Sequence, residues 1–152
     1  EMLDRYAQNT PTGCYSQVPR AGCILLTEDQ EQAVLYLQRR AGPNEYIYVG
    51  THRHDEIFAN DVLFYFLAGR RPATKYTELH PGLANTLPVQ QEIARELQAK
   101  DVRWIVTYRI WDSNEPNTSA ESTGVNFLDD YIRAYYRSTL TLGNYQIWER
   151  RN

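Results

Sequence analysis

The sequence predicts a three-layer α/β/α domain with a mainly parallel sheet and a C-terminal antiparallel hairpin at the edge of that sheet. Runs of β-forming residues alternate with segments of helical periodicity, which favours parallel strands joined by helical crossovers. The last two β-forming runs flank Gly143-Asn144, a two-residue hairpin signal. With 152 residues, the chain is long enough for one such domain with its own hydrophobic core.

The first residues are expected to be irregular, because turn-forming residues and Pro19 interrupt regular structure there. We therefore expect an N-terminal arm or linker over 1–21 and a single α/β domain over 22–152. The apolar run 23–26 could form a short buried strand. Cys23 is interpreted as a small buried apolar residue of that run. A bridge to Cys14, the only other cysteine, is the alternative if the compartment is oxidising.

A first helix is predicted from 28 to about Arg40, because Thr27 and Gln30 form a capping-box pattern. Basic residues in its last turn suit the negative end of the helix dipole. After the helix-terminating Gly42-Pro43, the run 46–49 is rich in β-branched and aromatic residues and predicts a central strand ending at Gly50.

The second half of the pattern repeats this alternation. Asn60 or Asp61 can cap a second helix that ends at Gly69, and Thr86 with Pro88 starts a third. The remaining predicted elements are one short edge strand within 70–82, a buried strand over 102–110, a loop over 113–124, a helix over 125–137, and hairpin strands over 140–142 and 145–148.

Composition excludes several function classes. Lys and Arg number 16 against 19 Asp and Glu, so the net charge of −3 disfavours non-specific binding to nucleic acid. No apolar run approaches the ~18 residues of a membrane span. The 12 tyrosines against 4 phenylalanines suit half-exposed binding faces as well as strand edges.

In parallel sheets, ligands bind beyond the carboxyl ends of the strands, which here correspond to 50–55 and 111–117. His52 and His54 follow the first predicted strand and would share a face if the chain stayed extended. With Asp55 they offer ligands for a zinc-like metal, so one hypothesis is a small stand-alone metal-dependent hydrolase. The alternative is that both histidines simply lie in a loop exposed to solvent. Asp129-Asp130, by contrast, is expected to be a solvated helix face.

No glycine-rich phosphate-binding loop and no nucleophile-elbow motif occurs, and no cofactor is expected. No metal is expected either, because the chain has only three histidines and no further histidine follows His54 and Asp55 closely. The densest polar stretch is 60–91, where Arg side chains suit phosphate or carboxylate and Tyr rings suit sugars. The alternative is that these polar side chains form hydrogen bonds within the domain itself. Arg70 would then cap the preceding helix, and 80–82 would form a rigid turn. The candidate binding residues are Asn60, Asp61, Arg70, Thr74, Tyr76 and His80.

These residues belong to a longer pattern: Asn60-Asp61-x-x-x-Tyr65-x-x-x-Gly69-Arg70-x-Pro72-Ala73-Thr74-x-Tyr76-x-Glu78-Leu79-x-Pro81-Gly82, followed by Gln90 and a helix that leads into 102–106. The pattern resembles the soluble tail of bacterial GT-C-like membrane glycosyltransferases, which are related to the dolichyl-phosphate-mannose protein mannosyltransferases. The resemblance covers about residues 28–110.

The resemblance implies a location, a partner and a role. The tails of that family face the extracytoplasmic side, follow the last membrane span, and leave the catalytic acid to a loop near the first span. The resemblance therefore implies a domain that is itself non-catalytic, tethered to an upstream transmembrane region, and that helps to position a lipid-linked sugar or a glycan acceptor. Replacing Arg70 with Ala is then expected to weaken binding more than folding. A plain protein-interaction module, with an exposed Tyr-rich patch, is a further hypothesis.

Overall fold

The structure is a computed structural model that describes residues 16–56, 59–109 and 121–152. Within these ranges, the helices and strands alternate as the sequence predicts. The elements, in chain order after a 3₁₀ turn at Pro19–Ala21, are α1 Glu28–Arg40, β1 Tyr46–Thr51, α2 Leu63–Ala68, β2 Arg71–Pro72, α3 Leu87–Ala99, β3 Trp104–Tyr108, α4 Phe127–Tyr135, β4 Tyr136–Leu142 and β5 Tyr145–Arg150.

The five strands form one sheet in the order β2-β1-β3-β5-β4. β1 runs parallel to both β2 and β3, whereas β5 is antiparallel to β3 and to β4. The predicted hairpin is therefore confirmed, with β4 at one edge of the sheet. Gly143 supplies the positive φ of 51° that the tight turn requires.

Helices cover both faces of the sheet, which confirms the predicted three layers. Side chains alternate across β1, so Ile47 and Val49 pack among residues of α1 and α2, whereas Tyr48 packs among residues of α3 and α4. Crossovers between parallel strands share one hand, so connections that move in opposite directions must use opposite faces. α2 leads to β2 on one side of β1, and α3 leads to β3 on the other side.

The helix ends follow the predicted signals. Thr27 accepts a hydrogen bond from the Gln30 backbone N–H at 3.3 Å, and α1 ends at Arg40 as expected. α2 ends at Gly69, whose φ of 63° is left-handed. α4 is shorter than predicted because β4 begins directly at Tyr136, a buried residue whose hydroxyl donates to the Val102 carbonyl at 2.7 Å.

The run 23–26 is not a buried strand, which corrects the sequence prediction. Ile24 donates its backbone N–H to Ala21 in a turn, and Leu25 is 84% exposed. Cys23 is exposed and disulfide-bonded, so its interpretation as a buried apolar residue is also wrong. In the described part of the N-terminal arm, Val18 and Ala21 are buried in the core beside α1 and α2.

Two further predictions concern parts of the chain that the structure covers incompletely. Most of the predicted loop 113–124 and the whole stretch 111–117 lie outside the described residues. Among the helices that are described, none is long and apolar enough to cross a membrane.

Candidate functional site

The backbone of β1 needs hydrogen-bond partners that its short neighbour β2 does not supply. Next to β2, the Ile47 carbonyl accepts from the Ala73 N–H at 2.8 Å. Two residues further on, the Val49 N–H donates to the Tyr65 hydroxyl at 2.8 Å, and the Val49 carbonyl accepts from the Asn60 amide at 2.9 Å. Because buried peptide groups must be paired, these two side chains take the place of a longer edge strand.

Asn60 also fixes the loop that follows β2. Its amide nitrogen donates to the Thr77 carbonyl at 2.8 Å as well as to Val49. In the same loop the Thr74 hydroxyl accepts from the Tyr76 N–H at 3.1 Å, and the Tyr76 hydroxyl donates to Glu92 of α3 at 2.6 Å. These candidate residues therefore hold a loop against β1 and α3.

His80 is the exposed member of the candidate set. Its side chain is 63% exposed and lies 3.5 Å from the Glu78 carboxylate. Its carbonyl accepts from the backbone N–H groups of Leu83 and Ala84, which agrees with the expected rigid turn over 80–82.

Asp61 joins three elements on the other face of the sheet. Its carboxylate accepts from the Tyr145 hydroxyl of β5 at 2.5 Å and from the Gln30 amide of α1 at 3.0 Å. It also accepts from the Phe64 N–H at 3.2 Å, in the first turn of α2. Burial, together with the hydrogen bond to Asp61, raises the pKa of Tyr145 far above its ordinary value, so this phenol remains a donor.

Arg70 serves the ends of two helices. Its guanidinium donates to the carbonyls of Ala41 at 2.7 Å and Gln38 at 3.2 Å at the end of α1, and to that of Ala68 at 2.9 Å at the end of α2. Helix carboxyl ends leave unpaired carbonyls and carry negative partial charge, so a guanidinium suits both. Arg70 thus forms hydrogen bonds within the domain, as the alternative to ligand binding expects.

The structure brings only part of the candidate set together. Asn60, Thr74 and Tyr76 meet near the carboxyl end of β1. Arg70 lies beside the amino end of the same strand, since Arg71 pairs with Tyr46. The stretch of strand from Tyr46 to Val49 separates the two ends by about 10 Å at ~3.3 Å per residue. Arg70 and the other three residues therefore lie at opposite ends of this stretch of β1 and do not form one cluster.

A buried histidine closes the loop that follows β1. The His54 ring lies between the Tyr48 hydroxyl, 2.9 Å from Nε2, and the Asp129 carboxylate, 2.8 Å from Nδ1. The His54 backbone N–H donates to the same carboxylate at 2.9 Å. Since a carboxylate only accepts, Nδ1 carries the proton, which leaves Nε2 to accept from Tyr48 in the neutral ring. Burial raises the pKa of Tyr48 well above its ordinary value, so its hydroxyl can donate.

This arrangement corrects two sequence predictions. The chain leaves the extended conformation after Thr51, so His52 is exposed and His54 is buried, and the two imidazoles do not share a face. Asp129 is 6% exposed and bound to His54, whereas only its neighbour Asp130 forms the solvated face expected of both. Asp129 is buried because it binds His54, which lies far from it in the sequence. The positions of neighbouring residues on a helix do not indicate such a long-range partner.

Asp55 and Gln90 form further hydrogen bonds that hold the loop after β1 in place. The Arg53 guanidinium donates to both Asp55 oxygens, at 3.0 and 2.7 Å, and the Ser122 hydroxyl donates to the same carboxylate. Mainly through the Arg53 bond, the pKa of Asp55 falls from 3.8 to about 2. The Gln90 side chain donates to the His54 carbonyl at 2.9 Å and accepts from the Leu128 N–H at 2.9 Å.

The chemistry of this edge is that of an internal hydrogen-bond network. Both ring nitrogens of His54 are engaged by protein groups, and a Cβ added at Gly50 would lie 2.8 Å from Nε2. Within the three described ranges, no group of three or more His, Cys, Asp or Glu side chains gathers as a metal would require.

Comparison with known proteins adds one structural likeness. No protein-family model and no curated protein matches the chain. Among solved structures, the chain is similar to the C-terminal globular domain of an oligosaccharyltransferase from Archaeoglobus fulgidus, with 12% sequence identity and a TM-score of 0.46. The match covers 84% of this chain and 100% of that chain. At that TM-score the likeness carries no argument about function.

Replacing Arg70 with Ala should destabilise the fold, because four carbonyls at two helix ends lose a charged donor. We expect the free energy of unfolding to fall by about 2–3 kcal/mol in urea denaturation. The matched control is Arg71→Ala, which removes an exposed neighbouring arginine and should change stability by less than about 0.5 kcal/mol. Equal effects of the two substitutions would show that the helix-end bonds contribute nothing.

Asp55 should make stability depend on pH in a defined window. Its folded-state pKa of about 2 lies below the ordinary 3.8, so its contribution is present above about pH 4 and is lost as the pH falls toward 2. In urea denaturation the stability difference between the wild type and Asp55→Asn should therefore shrink as the pH falls from about 4 to about 2. Asp130→Asn, which removes an exposed carboxylate, is the control for the general effect of replacing an aspartate with asparagine. A difference for Asp55→Asn that stays constant with pH would contradict the role assigned to Arg53 and Ser122.

Proposed function

We propose that this chain is a non-catalytic extracytoplasmic domain of a membrane glycosyltransferase that uses a lipid-linked sugar, and that it helps to position the acceptor or the sugar-phosphate group. The observation that carries the proposal is the structural use of the resemblance motif. Asn60 and Tyr65 pair the backbone of β1, Gly69 ends α2, and Arg70 binds two helix ends. The residues that resemble the glycosyltransferase tails are thus the ones that build this fold, which favours a shared domain over a chance likeness of surface residues.

Three acidic or histidine side chains near the carboxyl end of β1 support a non-catalytic role. His54, Asp129 and Asp55 are buried and bound to other side chains of the domain. A general acid or base must reach the group whose proton it transfers. In this proposal the catalytic acid therefore belongs to the membrane region of the full-length protein.

The disulfide at Cys23 supports an extracytoplasmic location. Structural disulfides persist in oxidising compartments and are rare where thiol reductants keep cysteines reduced. Cys23 is exposed, so a reducing environment would have direct access to the bond.

The proposed partner is the upstream transmembrane region of the same polypeptide. Val62, directly before α2, and Leu63 and Phe66 on that helix expose 41%, 37% and 52% of their surface. The N-terminal part of the described chain packs against this helix, with the Arg20 guanidinium 5.7 Å from the centre of the Phe66 ring. In this proposal the upstream region covers this apolar face.

The metal-dependent hydrolase hypothesis has no specific observation in its favour. A metal at His54 would have to replace its bonds to Tyr48 and Asp129, and a metal at Asp55 would displace Arg53 and Ser122. Metal uptake would therefore require the carboxyl edge to open.

Cell fractionation tests the proposal. In cells of the source organism, an antibody against the domain should detect a protein much larger than 152 residues that stays in the membrane pellet after a carbonate wash. Protease added to the extracytoplasmic side should remove the epitope, while a cytoplasmic protein of the same cells stays intact. Cys23 should react with maleimide only after reduction. A cytosolic species of about this chain's size with a reactive Cys23 thiol would contradict the proposal.

A further inference from the structure

A groove between α3 and α4 lies on the face of the sheet opposite α1 and α2. It has a volume of about 370 Å³, within the range of ligand pockets, and the buried Ala94 is one of its lining residues. Its two walls differ in chemistry. The α3 wall carries Gln91, Arg95 and Gln98, and the α4 wall carries Phe127, Tyr131 and Tyr135.

Helical periodicity aligns each wall. Residues 91, 95 and 98 follow the i, i+4, i+7 spacing of one helix face, and 127, 131 and 135 follow an i, i+4, i+8 spacing. The aromatic row is about 12 Å long at ~1.5 Å per residue, which suits a short chain of linked rings better than one ring. The rings of Tyr131 and Tyr135 are in contact, with centroids 4.8 Å apart.

The groups on both walls are available to a ligand. Within the described ranges, the side chains of Gln91, Gln98 and Arg95 form no direct hydrogen bond or ion pair, and neither do the hydroxyls of Tyr131 and Tyr135. The Arg95 guanidinium does act on the Glu92 carboxylate of the same helix, whose pKa it helps to lower. Phe127 and Tyr135 are 39% and 55% exposed. Planar amides and a guanidinium thus face a row of aromatic rings, with each wall free to bind.

The groove is held open independently of any ligand. Gln90, which precedes the polar row, accepts from the Leu128 N–H at 2.9 Å and donates to the Val125 carbonyl at 2.7 Å. These bonds tie the start of α3 to the start of α4. A preformed groove avoids the ordering cost that a flexible site would add to binding.

We propose that this groove binds a short oligosaccharide. A pyranose ring presents an apolar face of C–H groups, which stacks on aromatic rings, and an edge of hydroxyls, which amides and guanidinium bind. One arginine between two glutamines suits hydroxyl groups better than a polyanion, which would call for several cations. The apolar wall alone would not distinguish a sugar from a peptide, so the choice of a glycan also rests on the proposed function.

Nuclear magnetic resonance of the ¹⁵N-labelled 152-residue chain tests the proposal. The probes are trisaccharides of glucose, mannose and N-acetylglucosamine, each titrated to about 10 mM, which detects a Kd near 1 mM. At least one probe should shift amide signals of α3 and α4 while leaving those of α1 and α2 in place. Tyr135→Ala and Gln98→Ala should each weaken that Kd about threefold to tenfold. The matched control, Phe66→Ala, removes a similarly exposed aromatic ring from the other face and should leave the Kd unchanged.

Several outcomes would overturn the proposal. These are the absence of shifts with every probe, shifts outside the groove, and an equal effect of Tyr135→Ala and Phe66→Ala. Concentration-dependent shifts of α3 and α4 without sugar, together with no response to the probes, would assign the groove to a second copy of this chain instead. The two experiments test the two proposals separately. If the protein is in the membrane but binds no trisaccharide, only the proposal for the groove is overturned. If it is cytosolic but binds a trisaccharide, only the proposed glycosyltransferase role is overturned.

Discussion

The structure depends on how the backbone of the central strand β1 is satisfied on the side where β2 is only two residues long. A longer edge strand would pair Val49 through backbone groups. Here the Tyr65 hydroxyl and the Asn60 amide do so, at 2.8 and 2.9 Å. Because both side chains come from α2 and the turn before it, the same two bonds fix the position of that helix on the sheet.

A second polar network closes the carboxyl end of β1 from the other face. His54 joins Tyr48 of β1 to Asp129 of α4, and Gln90 of α3 binds the His54 carbonyl. Parallel sheets often bind ligands at this edge. In the described part of this domain, side chains fill it, and the open groove lies instead between α3 and α4. The polar edge of the sheet is thus used for folding, whereas the groove between α3 and α4 is open to solvent.

Much of the fold could be predicted from the sequence because its signals are local. The capping box at Thr27, Gly69 at the end of α2, and Gly143-Asn144 at the hairpin act through neighbouring residues. Contiguous apolar residues such as 104–106 also marked β3 as buried on both faces. These features require no knowledge of which elements meet.

The site could be predicted only in part, because its bonds are long-range. The partner of Asp129 is 75 positions away at His54, so its helical neighbours give no indication that it is buried. Arg70 lies 29 positions from the Ala41 carbonyl that it binds, and sequence proximity had grouped it with Tyr76 and His80 instead. Cys23 differs from its prediction for another reason: an apolar run predicts burial, whereas a turn in which the Ile24 N–H donates to the Ala21 carbonyl leaves Cys23 at the surface.

Hydrogen exchange at the Val49 amide tests most directly whether the motif replaces the missing edge strand. In Tyr65→Phe, which removes one oxygen, the Val49 amide should exchange at least about tenfold faster than in the wild type, since it loses its hydrogen-bond acceptor. Tyr136→Phe removes another buried hydroxyl, bonded to Val102, and corrects for any general loss of stability. Val49 exchange that responds equally to the two substitutions would contradict the account.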